Sequence, residues 1–142
     1  MRNFAKRLMA YEALGNKPPE DSSPAIFRIC EKLRPTLSML MGKSGFRALL
    51  SRALVMAGAE VQWLAAVHVK ADGSLEGLEE LHAQLDPKEF AEGGVVLLAQ
   101  LLGLLAAFVG ENLTLRLVLE VWPKVPLDGL EFDNGGQNEK TK

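Results

Sequence analysis

Met41-Gly42-Lys43-Ser44 carries the Gly-Lys-Ser that closes a phosphate-binding loop. In such a loop backbone N–H groups cradle the phosphates, the lysine reaches them and the hydroxyl serves the metal. The pattern also needs a glycine five positions before Gly42, where Leu37 stands, and a strand in front, where the residues read as helix. A helix-to-helix turn is therefore expected here. Glu79-x-x-His82 repeats the spacing by which carboxylate-bridged di-metal bundles ligate from facing helices. That chemistry needs a second copy and further inward carboxylates; there is no second copy, and Glu79 falls on a solvated face. No metal is expected, and no other cofactor is signalled. His68 has no cysteine or serine nearby in a nucleophile context, and no Gly-x-Ser-x-Gly elbow exists. Cys30 lies among apolar residues and reads as core. Asn112-Leu113-Thr114 matches a glycosylation sequon, which has no meaning without a secretory route. The residues offer no catalytic set, so a non-enzymatic function is expected.

The bulk composition agrees with a folded, soluble chain. Of 142 residues, 48% are apolar, and the net charge is −2. One cysteine excludes an internal disulfide framework, and with two histidines it excludes a zinc finger or ribbon. Residues 1–14 are charged throughout and lack the apolar run of a secretory signal, so a cytoplasmic location is expected. The charge is uneven: residues 1–60 carry a net +5 and residues 61–142 a net −7. Opposite halves favour docking, within the chain or between copies. A basic face for nucleic acid in residues 1–60 is the sharper alternative, and a pI near 5.7 speaks against it.

The elements follow from apolar spacing and punctuation. Phe4, Leu8 and Tyr11 predict a helix over 3–14. The loop at 15–22 contains two prolines, and Ser23-Pro24 reads as the cap and first residue of the next helix. Pro35 predicts a kink or restart, and a further helix is expected over 45–57 with Gly58 as its cap. Residues 59–71 suit a short helix, or a strand at 67–70. Leucines 75, 78, 81 and 85 predict a helix after the Asp72-Gly73-Ser74 turn. Asp86-Pro87-Lys88-Glu89 combines an aspartate cap, a proline at the first position and a glutamate at the third. Residues 113–122 read as an amphipathic helix ended by Pro123, with Arg116 and Glu120 spaced to pair.

Residues 93–110 (GGVVLLAQLLGLLAAFVG) hold one polar side chain, Gln100. Eighteen helical residues span about 27 Å, close to the ~30 Å of a hydrocarbon core. Glu92 and Glu111 bracket the stretch and no aromatic belt frames it, so a helix buried by its neighbours is expected, with a membrane-associated helix as the alternative. Ala99, Gly103 and Ala107 recur at every fourth position, with Gly110 close to their line. Side chains this small open a groove for close helix approach. The helix that fills it is either one of the chain's own or the same helix of another copy.

The blocks GFRALLSRALVMAGAE, HVKADGSLEGLEELHAQLDP and GGVVLLAQLLGLLAAFVGENLTLRLVLEVWP, with the tail GGQNEKTK, resemble small bacterial proteins of no assigned function. The resemblance implies a bacterial cytosolic setting and a stand-alone unit, and brings no catalytic residue or partner. The expected fold is all-α, with five or six helices around the 93–110 helix. The alternative is α+β, pairing a strand at 67–70 with one in 113–121. One domain is expected over 1–132, followed by a disordered polar tail over 133–142. The expected function is a self-associating interaction protein, a scaffold, regulator or accessory subunit, forming a homodimer through Ala99, Gly103, Ala107 and Gly110. An unidentified protein partner is compatible with this; nucleic acid and membrane are the rival partners.

Overall fold

A computed structural model describes residues 2–15 and 24–125. The expected tail at 133–142 and most of the loop at 15–22 lie outside the described residues. Among those described, the elements are α1 (Arg2–Gly15), α2 (Ala25–Glu60), a short 3-10 turn (Gln62–Ala66), β1 (His68–Val69), β2 (Leu75–Glu76), α3 (Leu78–Gln84), α4 (Pro87–Val109) and α5 (Glu111–Val121). The fold is all-α, with one two-residue antiparallel strand pair.

Each helix buries the stripe its spacing sets. Phe4 and Leu8 of α1 lie in the core. In α2, Ile26, Ile29, Cys30, Leu33 and Leu37 face inward before residue 42, and Phe46, Leu50, Ala53, Leu54 and Ala57 after it. Burying side chains of this size contributes roughly 1.5–3 kcal/mol each for the larger ones. α4 packs against α1, α2, α3 and α5, so the most apolar helix is indeed the central one. Its start is fixed as its sequence requires: the Asp86 carboxylate accepts from the N–H groups of Lys88 (3.1 Å) and Glu89 (3.4 Å), with Pro87 at the first turn. By length and composition α4 could cross a membrane, yet half of its apolar window is buried against the rest of the chain.

Two sharp changes of direction use one glycine each. Gly42 (φ 82°, ψ 160°) breaks α2 into two limbs, and Gly110 (φ 96°, ψ 158°) separates α4 from α5. Both sit in a backbone region that is essentially open to glycine alone. Of the two interruptions expected in this stretch, the turn at Gly42 forms and the one at Pro35 does not: the dihedrals stay helical through Arg34 and Pro35. Proline's missing N–H costs one bond, which the packing of Leu33 and Leu37 on either side outweighs.

The strand option at 67–70 is realised in miniature, with a different partner from the one expected. Val69 pairs with Leu75 and His68 with Glu76 across a tight turn, while residues 111–121 are helical. The turn is held by Asp72, whose carboxylate accepts from the Ser74 N–H (2.9 Å) and hydroxyl (2.6 Å). Consequently the helix read from Leu75 starts later, at Leu78.

Trp63 sets how closely the 3-10 turn approaches α4. Its ring stacks on Phe90 (centroids 5.1 Å apart, 14° between planes) and lies across Gly93. A Cβ at Gly93 would overlap Trp63 Cζ2. Gly93→Ala is therefore expected to expel the indole at a cost of about 1–3 kcal/mol. The accompanying red shift of tryptophan emission checks it; an unshifted spectrum with unchanged melting would contradict this packing.

Candidate functional site

The residues singled out for chemistry do not converge. Lys43 and Ser44 lie exposed just after the Gly42 hinge, with helix and not strand in front of them, so the Gly-Lys-Ser is a helix-to-helix turn as expected. Glu79 and His82 are exposed on α3, and the His82 ring leans on Phe90 (centroids 4.9 Å apart). Among the described residues no group of three or more His, Cys, Asp or Glu side chains is placed to hold a metal. Asn112, Arg116 and Glu120 share the exposed side of α5, though Arg116 and Glu120 form no ion pair there.

Cys30 is buried among the apolar side chains of α2. Burial pushes its thiol pKa up to about 12, with a smaller contribution from the Glu31 charge. Only the thiolate reacts readily, so the native protein should resist a thiol-titrating disulfide reagent at mildly alkaline pH and react fully once unfolded. Fast titration of the native chain would show that the first limb of α2 opens locally.

Two clefts lie around the 3-10 turn. One, of about 400 Å³, brings Ser51 of α2 and His68 of β1 onto the same rim, a juxtaposition hidden in the sequence. No hydrogen bond joins them, and the rest of the lining is apolar, with Leu54, Val55 and Val67 among it. The other, of about 460 Å³, runs past Trp63 between Glu60 and the carboxylates Glu89 and Glu92 of α4. The buried Trp63 Nε1–H finds no acceptor among the described residues. Glu60 is engaged outward with Arg2 of α1. Neither cleft assembles a nucleophile with a base.

The strongest polar cluster is one the sequence reading missed. Glu12 of α1 is buried and accepts from Lys32 Nζ (2.8 and 3.0 Å), Arg28 Nε (3.1 Å) and Trp122 Nε1 (3.0 Å). Burial alone raises the pKa of this carboxyl, and the hydrogen bonds from Lys32, Trp122 and Arg28 outweigh it, leaving Glu12 below its ordinary value. The signal was present: Phe4, Leu8 and Glu12 follow at i, i+4 and i+8, which puts the carboxylate on the apolar line. The cluster ties α1 to α2 and to the residue that ends α5. It is a clamp, with Arg28, Lys32 and Trp122 each on a different turn or element.

The predicted small-residue stripe on α4 is divided by the fold. Ala99 lies in the core at 9% exposure, Gly103 is half-buried, Ala107 is exposed and Gly110 is the hinge before α5. At Gly103 a Cβ would meet nothing within 4 Å among the described residues, so none of the described helices fills the groove there. Gln100, Gly103, Leu104, Ala107 and Phe108 fall on one face at i, i+3, i+4, i+7 and i+8. That face carries no charge, and Phe108 is 67% exposed on it. Of the bulky side chains along this stretch of α4, Leu97 and Leu101 are fully buried, and Leu104 and Phe108 are not. No family model, curated protein or solved structure matches this chain.

Proposed function

We propose that the protein is a non-enzymatic interaction protein that works as a symmetric dimer, serving as a scaffold, regulator or accessory subunit in the cytoplasm. The observation that carries this reading is the uncovered, chargeless end of α4, where Phe108 stands 67% exposed beside the open Gly103. An apolar helix face of this kind is what a second helix covers, and small residues at Gly103 and Ala107 permit close approach. The same face on a second copy satisfies it, because a twofold contact pairs a patch with itself. The dimer helix pair is thus centred on Gly103 and Ala107, with Phe108 at its edge; Ala99 supports it from the core and Gly110 ends it. The bacterial setting implied by the resemblance is compatible with this role. A membrane-spanning use of α4 has less support, since half of its apolar window already packs inside the chain.

Light scattering across a concentration series tests the proposal. Twice the monomer mass at micromolar concentration is expected, and Phe108→Glu should shift it to one chain, because a carboxylate on each copy would be buried against its twin. A single-chain mass at every concentration overturns the dimer.

A further inference from the structure

The stretch around the Gly42 hinge carries a second exposed surface with a different chemistry. Between Glu31 and Glu60 the chain has no carboxylate, while it has Lys32, Arg34, Lys43, Arg47 and Arg52. Two of these cations are spoken for: Lys32 pairs with Glu12, and Arg34 with Glu31 and Asp72. The other three, Lys43, Arg47 and Arg52, are exposed and make no ion pair with any described residue.

The same stretch holds most of the exposed apolar bulk. Five large apolar side chains stand exposed among the described residues, and four of them are here: Met39 at 90%, Val55 at 74%, Leu40 at 41% and Met56 at 39%. Met39 and Leu40 come just before the hinge, and Lys43 just after it. Arg47 and Arg52 then flank Val55 on the outer side of the second limb, by the 100° step of the helix. Asp72, the carboxylate that reaches α2 from the turn between β1 and β2, is engaged with Ser74 and Arg34.

We propose that this hinge and the second limb of α2 dock on an anionic lipid surface, with Met39 and Leu40 entering the headgroup–acyl boundary and Lys43, Arg47 and Arg52 meeting lipid phosphates. Cations without internal partners, interleaved with exposed apolar side chains and free of carboxylates, are what an anionic bilayer surface attracts and holds. The long stems of Arg and Lys let their heads stay at the headgroups while the apolar neighbours go deeper. A nucleic-acid backbone would engage the three cations and leave Met39 and Leu40 in water, so it accounts for only half of the surface. The proposal concerns α2 and is independent of the α4 face assigned to the dimer.

Flotation of the full chain with vesicles is the test. It should rise with phosphatidylcholine vesicles that contain phosphatidylglycerol and stay behind with phosphatidylcholine alone. Each of Lys43→Gln, Arg47→Gln and Arg52→Gln should lower the partition about fivefold. Met39→Ser with Leu40→Ser, which leaves the charge intact, should lower it by about tenfold. All five positions are exposed, so the circular-dichroism melts should match the parent. Equal binding to neutral vesicles, or no loss in the charge variants, overturns the electrostatic half. Binding that ignores Met39→Ser with Leu40→Ser overturns the insertion. A salt-sensitive shift of an oligonucleotide with no vesicle binding replaces the lipid surface with nucleic acid. Loss of the dimer in light scattering leaves this test unaffected.

Discussion

Glu12→Gln should lower the stability of the fold by about 3 kcal/mol, because it removes the charge and leaves two cations and an indole N–H around an amide whose single oxygen cannot accept from all three. For a chain of this size that is a fall in Tm of roughly 10 °C. The loss divides unevenly among the donors. Lys32 is 42% exposed on its side chain and can turn to water, so its share is screened. Arg28, with a side chain only 14% exposed, and the buried Trp122 indole cannot. Trp122→Phe keeps the ring packing and removes one hydrogen bond to a charged acceptor, so about 1.5–3 kcal/mol is expected from it. The pH dependence has a definite sign. Glu12 titrates lower in the folded than in the unfolded chain, where about 4.3 is usual, so its contribution is present above that pH and is lost as the pH falls through the folded value. The Gln variant should therefore show a flatter acid limb than the parent. A variant within about 0.5 kcal/mol of the parent, with the same acid limb, would mean that the clamp is ornamental.

Much of the fold was legible where a local signal and the packing agree. Asp86-Pro87-Lys88-Glu89 caps α4 as its residue types dictate, and the apolar stripes of α1, both limbs of α2 and α5 are the buried ones. The departures come where two local signals compete. Pro35 marks a break on its own, yet Leu33 and Leu37 beside it are fully buried, and continuing the helix keeps both in the core. Gly42 then makes the turn, since only glycine reaches its dihedrals without strain. Leu75 belongs to the 3.6-residue pattern of α3 and also alternates with its neighbours. Pairing across the Asp72 turn takes it into a strand, and Leu75 is buried there too, so periodicity alone could not separate the two.

The candidate sites divide in the same way. Glu12 was readable as an acidic residue on an apolar line, though its partners Arg28, Lys32 and Trp122 are brought together only by the packing of three elements. The small-residue line on α4 was visible, but which of its members would face outward depended on how α1, α2 and α5 wrap the helix. That wrapping takes Ala99 and leaves Gly103, Ala107 and Phe108.

This division gives Gly103→Leu a result that separates two arrangements of the groove. Were the groove filled within one chain, leucine would overpack it and the melting temperature would drop. The open space at Gly103 leads to the opposite expectation: an isolated chain accommodates leucine and gains up to about 1 kcal/mol from its better helix propensity. In a twofold dimer centred on this face, two leucines meet where two glycines allowed contact. Overpacking at ~1–3 kcal/mol per side chain then weakens association on the order of a hundredfold. Light scattering of the variant should give one chain at concentrations where the parent gives two, while its helical signal and its concentration-independent melting are preserved or raised. A variant that loses melting temperature at unchanged mass would place a packing partner for Gly103 inside the chain and remove the α4 face as the dimer contact.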